Sequence, residues 1–126
     1  MNKKKILIVD DSALARRTTR QHLEALGYAV EEANDGAQAL ERFYLGAPDA
    51  VILDMVMTGM YGLDVLAKIR EMKPEALVIV ATADIQKSTA DQVREAGAKA
   101  LLNKPVSRDS LGVTLTTVLG GGHTWS

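Results

Sequence analysis

No cysteine occurs anywhere in the 126 residues, which excludes disulfides, thiol catalysis and cysteine-ligated zinc together. Histidine is nearly as scarce: His22 and His123 lie too far apart in sequence for metal-ligand spacing. No stretch approaches the roughly 20 consecutive apolar residues that a membrane span needs. A charge excess is missing too, because 15 basic against 16 acidic side chains leave a net −1 and argue against a polyanion-binding surface. The opening Lys3-Lys4-Lys5 and Ile6–Val9 are not a secretory leader, since the apolar run stops after four residues at Asp10-Asp11. What remains has the size of one domain and, at 47 % hydrophobic and 25 % charged, the balance of a soluble globular protein; a cytoplasmic location is expected.

Four short runs are rich in Val, Ile and Leu and do not alternate with polar residues: Ile6–Val9, Ala50–Leu53, Leu77–Ala81 and Ala100–Leu102. Strands buried on both faces of a parallel sheet read this way. Tyr28–Ala33, which carries Glu31 and Glu32, reads as an edge strand. Segments with helical spacing alternate with these runs. The first stripe is Ala15, Thr18, Thr19, His22, Leu23 and Leu26, stopped by Gly27. Ala37, Leu40 and Tyr44 form the second, entered through Asn34-Asp35-Gly36. Leu63, Leu66 and Ile69 precede Pro74; Ala90 and Val93 precede Gly97; Leu111, Leu115, Val118 and Leu119 precede Gly120. Five β-α units in succession predict an α/β fold, a doubly wound parallel five-stranded sheet with helices on both faces. The expected domain spans residues 1–119, and residues 120–126 are expected to form a flexible glycine-rich tail.

The polar residues gather where this pattern puts strand ends. Asp10 and Asp11 follow the first strand, Asp54 ends the third, Thr82 ends the fourth, and Lys104 follows the fifth. In a doubly wound sheet these carboxyl ends share one edge, where ligands bind. With a strand order of 2-1-3-4-5 the three acids converge. Carboxylates held together need a proton or a cation between them, and a small oxygen set with water suits Mg²⁺. Adding the Thr82 hydroxyl and the Lys104 ammonium describes a cup for a phosphoryl dianion, in which a carboxylate is the nucleophile.

The sequences Ile8-Val9-Asp10-Asp11-Ser12, Asp54-Met55-Val56-Met57-Thr58-Gly59-Met60-Tyr61-Gly62, Ala81-Thr82-Ala83 and Asn103-Lys104-Pro105, in this order at successive strand ends, resemble the CheY-like receiver domains of response regulators. The resemblance covers roughly residues 4–119 and implies the flavodoxin-like order 2-1-3-4-5. It implies that Asp54 accepts a phosphoryl group from a sensor histidine kinase, a phosphotransfer protein or a small acyl phosphate. Asp11 matches a direct Mg²⁺ ligand, Asp10 a partner acting through metal-bound water, and Val56 a main-chain carbonyl ligand. Thr82 matches the hydroxyl that closes on the phosphate, Lys104 the lysine that pairs with it, and Lys104-Pro105 a cis peptide. Val56 and Asp84 match positions flanking the path of attacking water. Such a domain assists its own phosphorylation and dephosphorylation without being an enzyme toward other molecules. The partners implied are the phosphodonor and a downstream protein bound through the last two helices and fifth strand, with no direct nucleic-acid or membrane contact.

Two positions depart from the family pattern: Thr58 stands where proline is usual, and Leu101 where an aromatic ring reports phosphorylation. Leu101 supports an alternative, an interaction module that works without phosphate. A phosphatase of the haloacid-dehalogenase type would carry a D-x-D pair rather than adjacent Asp10 and Asp11. A flavin module would offer hydroxyls and amides, not carboxylates, to a phosphate. Plainer roles also exist. Asp11 or Ser12 would serve as a helix cap, His22 as a half-exposed core residue, Met55, Met57 and Met60 as packing, Gly59 and Gly62 as turn residues, and Arg16, Arg17 and Arg20 as a solvated helix face.

Overall fold

Parallel pairing of the apolar runs organises the molecule. The computed structural model describes residues 3–57, 60–84 and 86–125; Thr58 and Gly59, and with them the expectations placed on that loop, lie outside the described residues. In chain order the elements are β1 (Lys5–Val9), α1 (Ala13–Ala25), β2 (Ala29–Ala33), α2 (Gly36–Gly46), β3 (Ala50–Asp54), β4 (Val56–Met57), β5 (Met60–Tyr61), α3 (Gly62–Met72), β6 (Val78–Thr82), α4 (Lys87–Glu95), β7 (Ala100–Asn103) and α5 (Arg108–Leu119). The main sheet runs β2-β1-β3-β6-β7, all parallel. Counted over its five strands this is the expected 2-1-3-4-5 order, with β2 at an edge. The ribbon β4–β5 was not expected; its two-residue strands are too short to show a period.

The two-residue period of the strands divides the core. Ile6, Ile8, Ala50, Ile52, Ile79, Ala81, Ala100 and Leu102 face one side, packed with Leu23 of α1 and Leu111, Leu115 and Val118 of α5. Leu7, Val9, Val51, Leu53, Val78 and Val80 face the other, against Ala39 and Phe43 of α2, Val65, Leu66 and Ile69 of α3, and Val93 of α4. Each fully buried Leu, Ile or Val stabilises the fold by roughly 1.5–3 kcal/mol relative to exposure.

Local chemistry sets the helix ends. Ser12 Oγ accepts from the Ala15 N–H at 3.1 Å, so the first helix is capped by Ser12 and not by Asp11. Gly27 and Gly97 adopt φ of 96° and 98°, left-handed values that stop α1 and α4. The second helix departs from the expected stripe. Its buried residues are Gly36, Ala39 and Phe43, whereas Ala37 is exposed and Tyr44 is 75 % exposed. Both sets have the same i, i+3, i+7 spacing, and the core takes the fully apolar Phe43 ring while the Tyr44 ring stays in water. Thr18 of α1 and Leu26 at its C-terminal end are likewise exposed, leaving Thr19 and Leu23 buried.

The expected free tail also differs in its contacts. The Trp125 indole N–H donates to the Ala98 carbonyl at 2.8 Å and the Thr124 N–H to the Lys99 carbonyl at 3.1 Å. Trp125 packs partly buried on the α2–α4 side of the core. The glycines therefore lead the chain around the start of β7 to the opposite face, where the ring finds both apolar cover and an acceptor. Among the described residues no helix is long and apolar enough to cross a membrane.

Candidate functional site

The same two-residue period builds the site. Continuing each strand by one step places Asp10 after Ile8, Asp54 after Ile52 and Lys104 after Leu102, all on the α1–α5 side. β1 and β3 are neighbours with Val9 opposite Leu53, so Asp10 and Asp54 emerge side by side. Oxygens of Asp10, Asp11 and Asp54 lie within 4.8 Å of one another. Asp10 and Asp54 are buried, at 7 % and 8 % exposure, and Asp11 is exposed.

Asp10 is held from every side. Its own N–H donates to the Ala33 carbonyl at 3.2 Å. One carboxylate oxygen accepts from the Ser12 N–H at 2.9 Å, and the other from Lys104 Nζ at 3.0 Å. Its carbonyl accepts from Arg16 Nη1 at 2.7 Å. Lys104 Nζ also stands 3.4 Å from Asp54 Oδ1. The lysine is anchored by its main-chain N–H, which donates to the Thr82 carbonyl at 2.8 Å, and Lys104-Pro105 is cis.

The three carboxylates gather beside the Lys104 ammonium. Burial pushes the Asp54 carboxyl above the usual aspartate range and the Asp10 charge adds to this, against the opposing pull of Lys104 and the Val56 main-chain N–H. Burial acts to lower Lys104, but the hydrogen bond and charge of Asp10, joined by Asp54, outweigh it and raise the ammonium. The donor set is oxygen only, which fits a hard dication such as Mg²⁺ and not a soft or nitrogen-seeking metal.

Thr82 falls on the other parity. It follows Val78 and Val80 on the α2–α4 side, 5 % exposed, and its hydroxyl accepts from the Asp84 N–H at 3.1 Å. The Asp84 carboxylate in turn accepts from the Gln86 N–H at 3.1 Å and the Thr89 hydroxyl at 2.8 Å, tying this loop to the first turn of α4. Val56 begins the ribbon beside Asp54 with its side chain exposed. Leu101 is partly buried on the α2–α4 side. His22 is half-exposed, its Nδ1 accepting from Arg108 Nε at 3.3 Å.

Two residues matter more than the sequence suggested. Arg16 is no solvated side chain: besides the Asp10 carbonyl it holds Glu32 Oε1 at 3.1 Å, and it is 16 % exposed. Arg20 binds the other Glu32 oxygen at 2.7 Å, and this bond, over the opposing effect of burial and with help from Arg16, lowers the Glu32 carboxyl. The signal available was position, four residues after the capping Ser12 and so one turn above the acids. Gly62 is more than a turn residue, because a Cβ there would stand 2.5 Å from the Asp54 carbonyl oxygen and 2.8 Å from Met55 Cα. Only glycine lets α3 start directly over the end of β3. Met55 and Met57 are buried as packing.

Comparison with known proteins shows the family of this fold. The family model of the response regulator receiver domain fits residues 6–116. The chain is 37 % identical over 106 residues to the transcriptional regulatory protein ResD of Bacillus subtilis (strain 168), covering 84 % of this chain and 44 % of that protein. It is 37 % identical over 107 residues to the response regulator MprA of Mycobacterium leprae (strain TN), covering 85 % and 47 %. The chain thus spans less than half the length of these curated relatives. A crystal structure of a CheY-like receiver domain protein from Methanospirillum hungatei JF-1 superposes with a TM-score of 0.88 at 28 % identity, covering 94 % of this chain and 95 % of that one.

Proposed function

This chain belongs to the response regulator receiver domain family of two-component signalling, and from that premise we propose that Asp54 accepts a phosphoryl group, aided by Mg²⁺, and that this switches binding to a downstream protein. The observation that carries the reading is the convergence of three carboxylates within 4.8 Å beside an ammonium 3.0 and 3.4 Å from two of them. Asp10, Asp11 and Asp54, with the Val56 carbonyl, would hold the cation. When bound, it supplies the positive charge that draws a phosphoryl dianion toward the acids.

The chain's own groups do the rest. An Asp54 oxygen attacks phosphorus, and the donor's leaving group departs in line with its electron pair. Burial disfavours the Asp54 charge, and attack removes it: the carboxylate becomes a neutral acyl group and the negative charge departs with the leaving group. The ammonium, already between Asp10 and Asp54, needs little movement to pair with the phosphoryl group. Thr82 has one lone pair taken by the Asp84 N–H, which leaves its hydroxyl proton to donate. Drawing that hydroxyl toward the phosphate pulls on the loop bonded to Thr89 of α4.

α4 suits a moving part. It is nine residues long, buries only Thr89 and Val93, and begins at Gln86 with no side-chain capping bond. Few buried contacts mean a low cost of displacement, so phosphorylation shifts a population between two α4 positions and alters the surface of α4, β7 and α5. The phosphodonor is a sensor histidine kinase, a phosphotransfer protein or a small acyl phosphate. The reading leaves the switch cytoplasmic and without direct contact to nucleic acid or membrane.

The test is incubation with Mg²⁺ and acetyl phosphate followed by intact-mass measurement. One added phosphoryl group is expected, absent in Asp54→Asn and absent without the cation. A chain that gains no mass under any donor, or gains it equally in Asp54→Asn, would refute the reading.

A further inference from the structure

Resting on the phosphoacceptor reading, we infer that the small-molecule donors this site prefers are acyl phosphates with a hydrocarbon acyl group larger than acetyl. A cavity of about 260 Å³ opens beside Asp54 and Lys104. Its floor is Ile52 and Ala81, on the same strand faces as the reacting carboxylate; its walls are Leu14 and Thr18 of α1 on one side and Pro105 and Val106 on the other. Leu14 is 72 % exposed, an apolar side chain left at the rim with no core to fill. At roughly 30 Å³ per water, the space equals some eight or nine water molecules, enough for an acyl group of roughly four to six carbons.

Lining chemistry selects the occupant. Charge is confined to one end, where the acids and Lys104 sit, and the rest is lined mainly by hydrocarbon. A ligand with a dianionic head and an apolar body matches both ends. The leaving group follows from what the lining lacks: apart from the salt-bridged Lys104, it offers hydroxyls of Ser12, Thr18 and Thr19 and no acid to protonate a departing alkoxide. A carboxylate needs none. In the transfer a new bond forms between an Asp54 oxygen and phosphorus. The bond from phosphorus to the acyl oxygen breaks, and its electron pair leaves on the carboxylate, with no proton gained or lost.

Acetyl and butyryl phosphate release carboxylates of nearly equal basicity and differ by two methylenes. Burying each methylene is worth about 0.8 kcal/mol, so butyryl phosphate should phosphorylate the chain with a kcat/KM about tenfold higher. The experiment follows intact mass over time with acetyl phosphate, butyryl phosphate and phosphoramidate, all with Mg²⁺. Thr18→Phe narrows the cavity and should abolish the butyryl advantage by lowering the butyryl rate more than the acetyl rate; Leu14→Ala, which shortens the rim, should reduce that advantage and serves if Thr18→Phe fails to fold by circular dichroism. Equal rates for the two acyl phosphates in the wild type, or an advantage untouched by both variants, overturn the inference alone. No mass gain from any of the three donors overturns the phosphoacceptor reading and the inference with it.

Discussion

Replacing Asp54 by Asn should stabilise the protein while removing its function. Asp54 is 8 % exposed, and its neighbours nearly cancel. At an effective dielectric of ~20, a carboxylate within 4.8 Å repels it by about 3.5 kcal/mol or more, and the Lys104 ammonium at 3.4 Å attracts it by about 5 kcal/mol. Asp10 exerts that repulsion from a buried position, and exposed Asp11 adds a water-screened fraction. What survives is the cost of burying the carboxylate, the same cause that dominates its raised pKa. Asn keeps the shape and removes the charge, and Lys104 keeps Asp10 at 3.0 Å. Urea denaturation in EDTA at pH 7 should therefore give Asp54→Asn about 1–2 kcal/mol more stability than wild type. The sign with pH follows from the direction of the shift. A carboxyl raised on folding binds its proton more tightly in the native state, so stability is greatest below the ordinary aspartate value of ~3.9 and declines as pH rises through the folded value. The gap between variant and wild type should open over that window and close on acidification. Millimolar Mg²⁺ should reverse the order by stabilising the wild type alone. A variant less stable than wild type in EDTA, or a gap independent of pH, would break the electrostatic account of this site.

Other substitutions test the supports of the site. Arg16→Ala removes charged hydrogen bonds to the Asp10 carbonyl and Glu32, so a loss of about 2 kcal/mol and weaker Mg²⁺ binding by calorimetry are expected, whereas Arg17→Ala should change neither. Gly62→Ala drives a Cβ to 2.5 Å from the Asp54 carbonyl oxygen, and thermal melts should show a loss of roughly 3 kcal/mol or a failure to fold. Trp125→Ala removes the bond to Ala98 and the ring's cover of the core, at about 1–2 kcal/mol; because Trp125 is the sole tryptophan, acrylamide quenching of the wild type checks directly that the ring is shielded.

The fold was legible because parallel strands buried on both faces leave an unambiguous mark: each apolar run became a strand to within a residue or two, and the acids and lysine fell at their ends. Helix faces were less legible. Ala37-Leu40-Tyr44 and Gly36-Ala39-Phe43 obey the same spacing, and only the packing against β1 and α3 decides which set turns inward. Arg16 escaped notice because an arginine on a helix looks the same whether it meets water or a main-chain carbonyl six residues earlier. The tail escaped because glycines signal freedom, while the acceptor that holds Trp125 is a backbone carbonyl with no side-chain identity to read.

Strand parity carries a consequence for signalling that no single residue reveals. Asp10, Asp54 and Lys104 continue the α1–α5 face of the sheet, and Thr82 continues the α2–α4 face. β6 pairs directly with β3, with Ala81 opposite Asp54, so Thr82 stands one step beyond the acid and on the reverse side. On the proposed reading, a phosphoryl group on Asp54 would extend past the strand ends, where the sheet no longer separates its two faces, with Lys104 on one side of it and Thr82 on the other. Chemistry on the α1–α5 side would thereby be coupled to a threonine bonded through Asp84 to Thr89 of α4. A route of this kind would need no aromatic ring at Leu101, because the hydrogen bonds to α4 run along the loop after β6 and not through the side chains of β7.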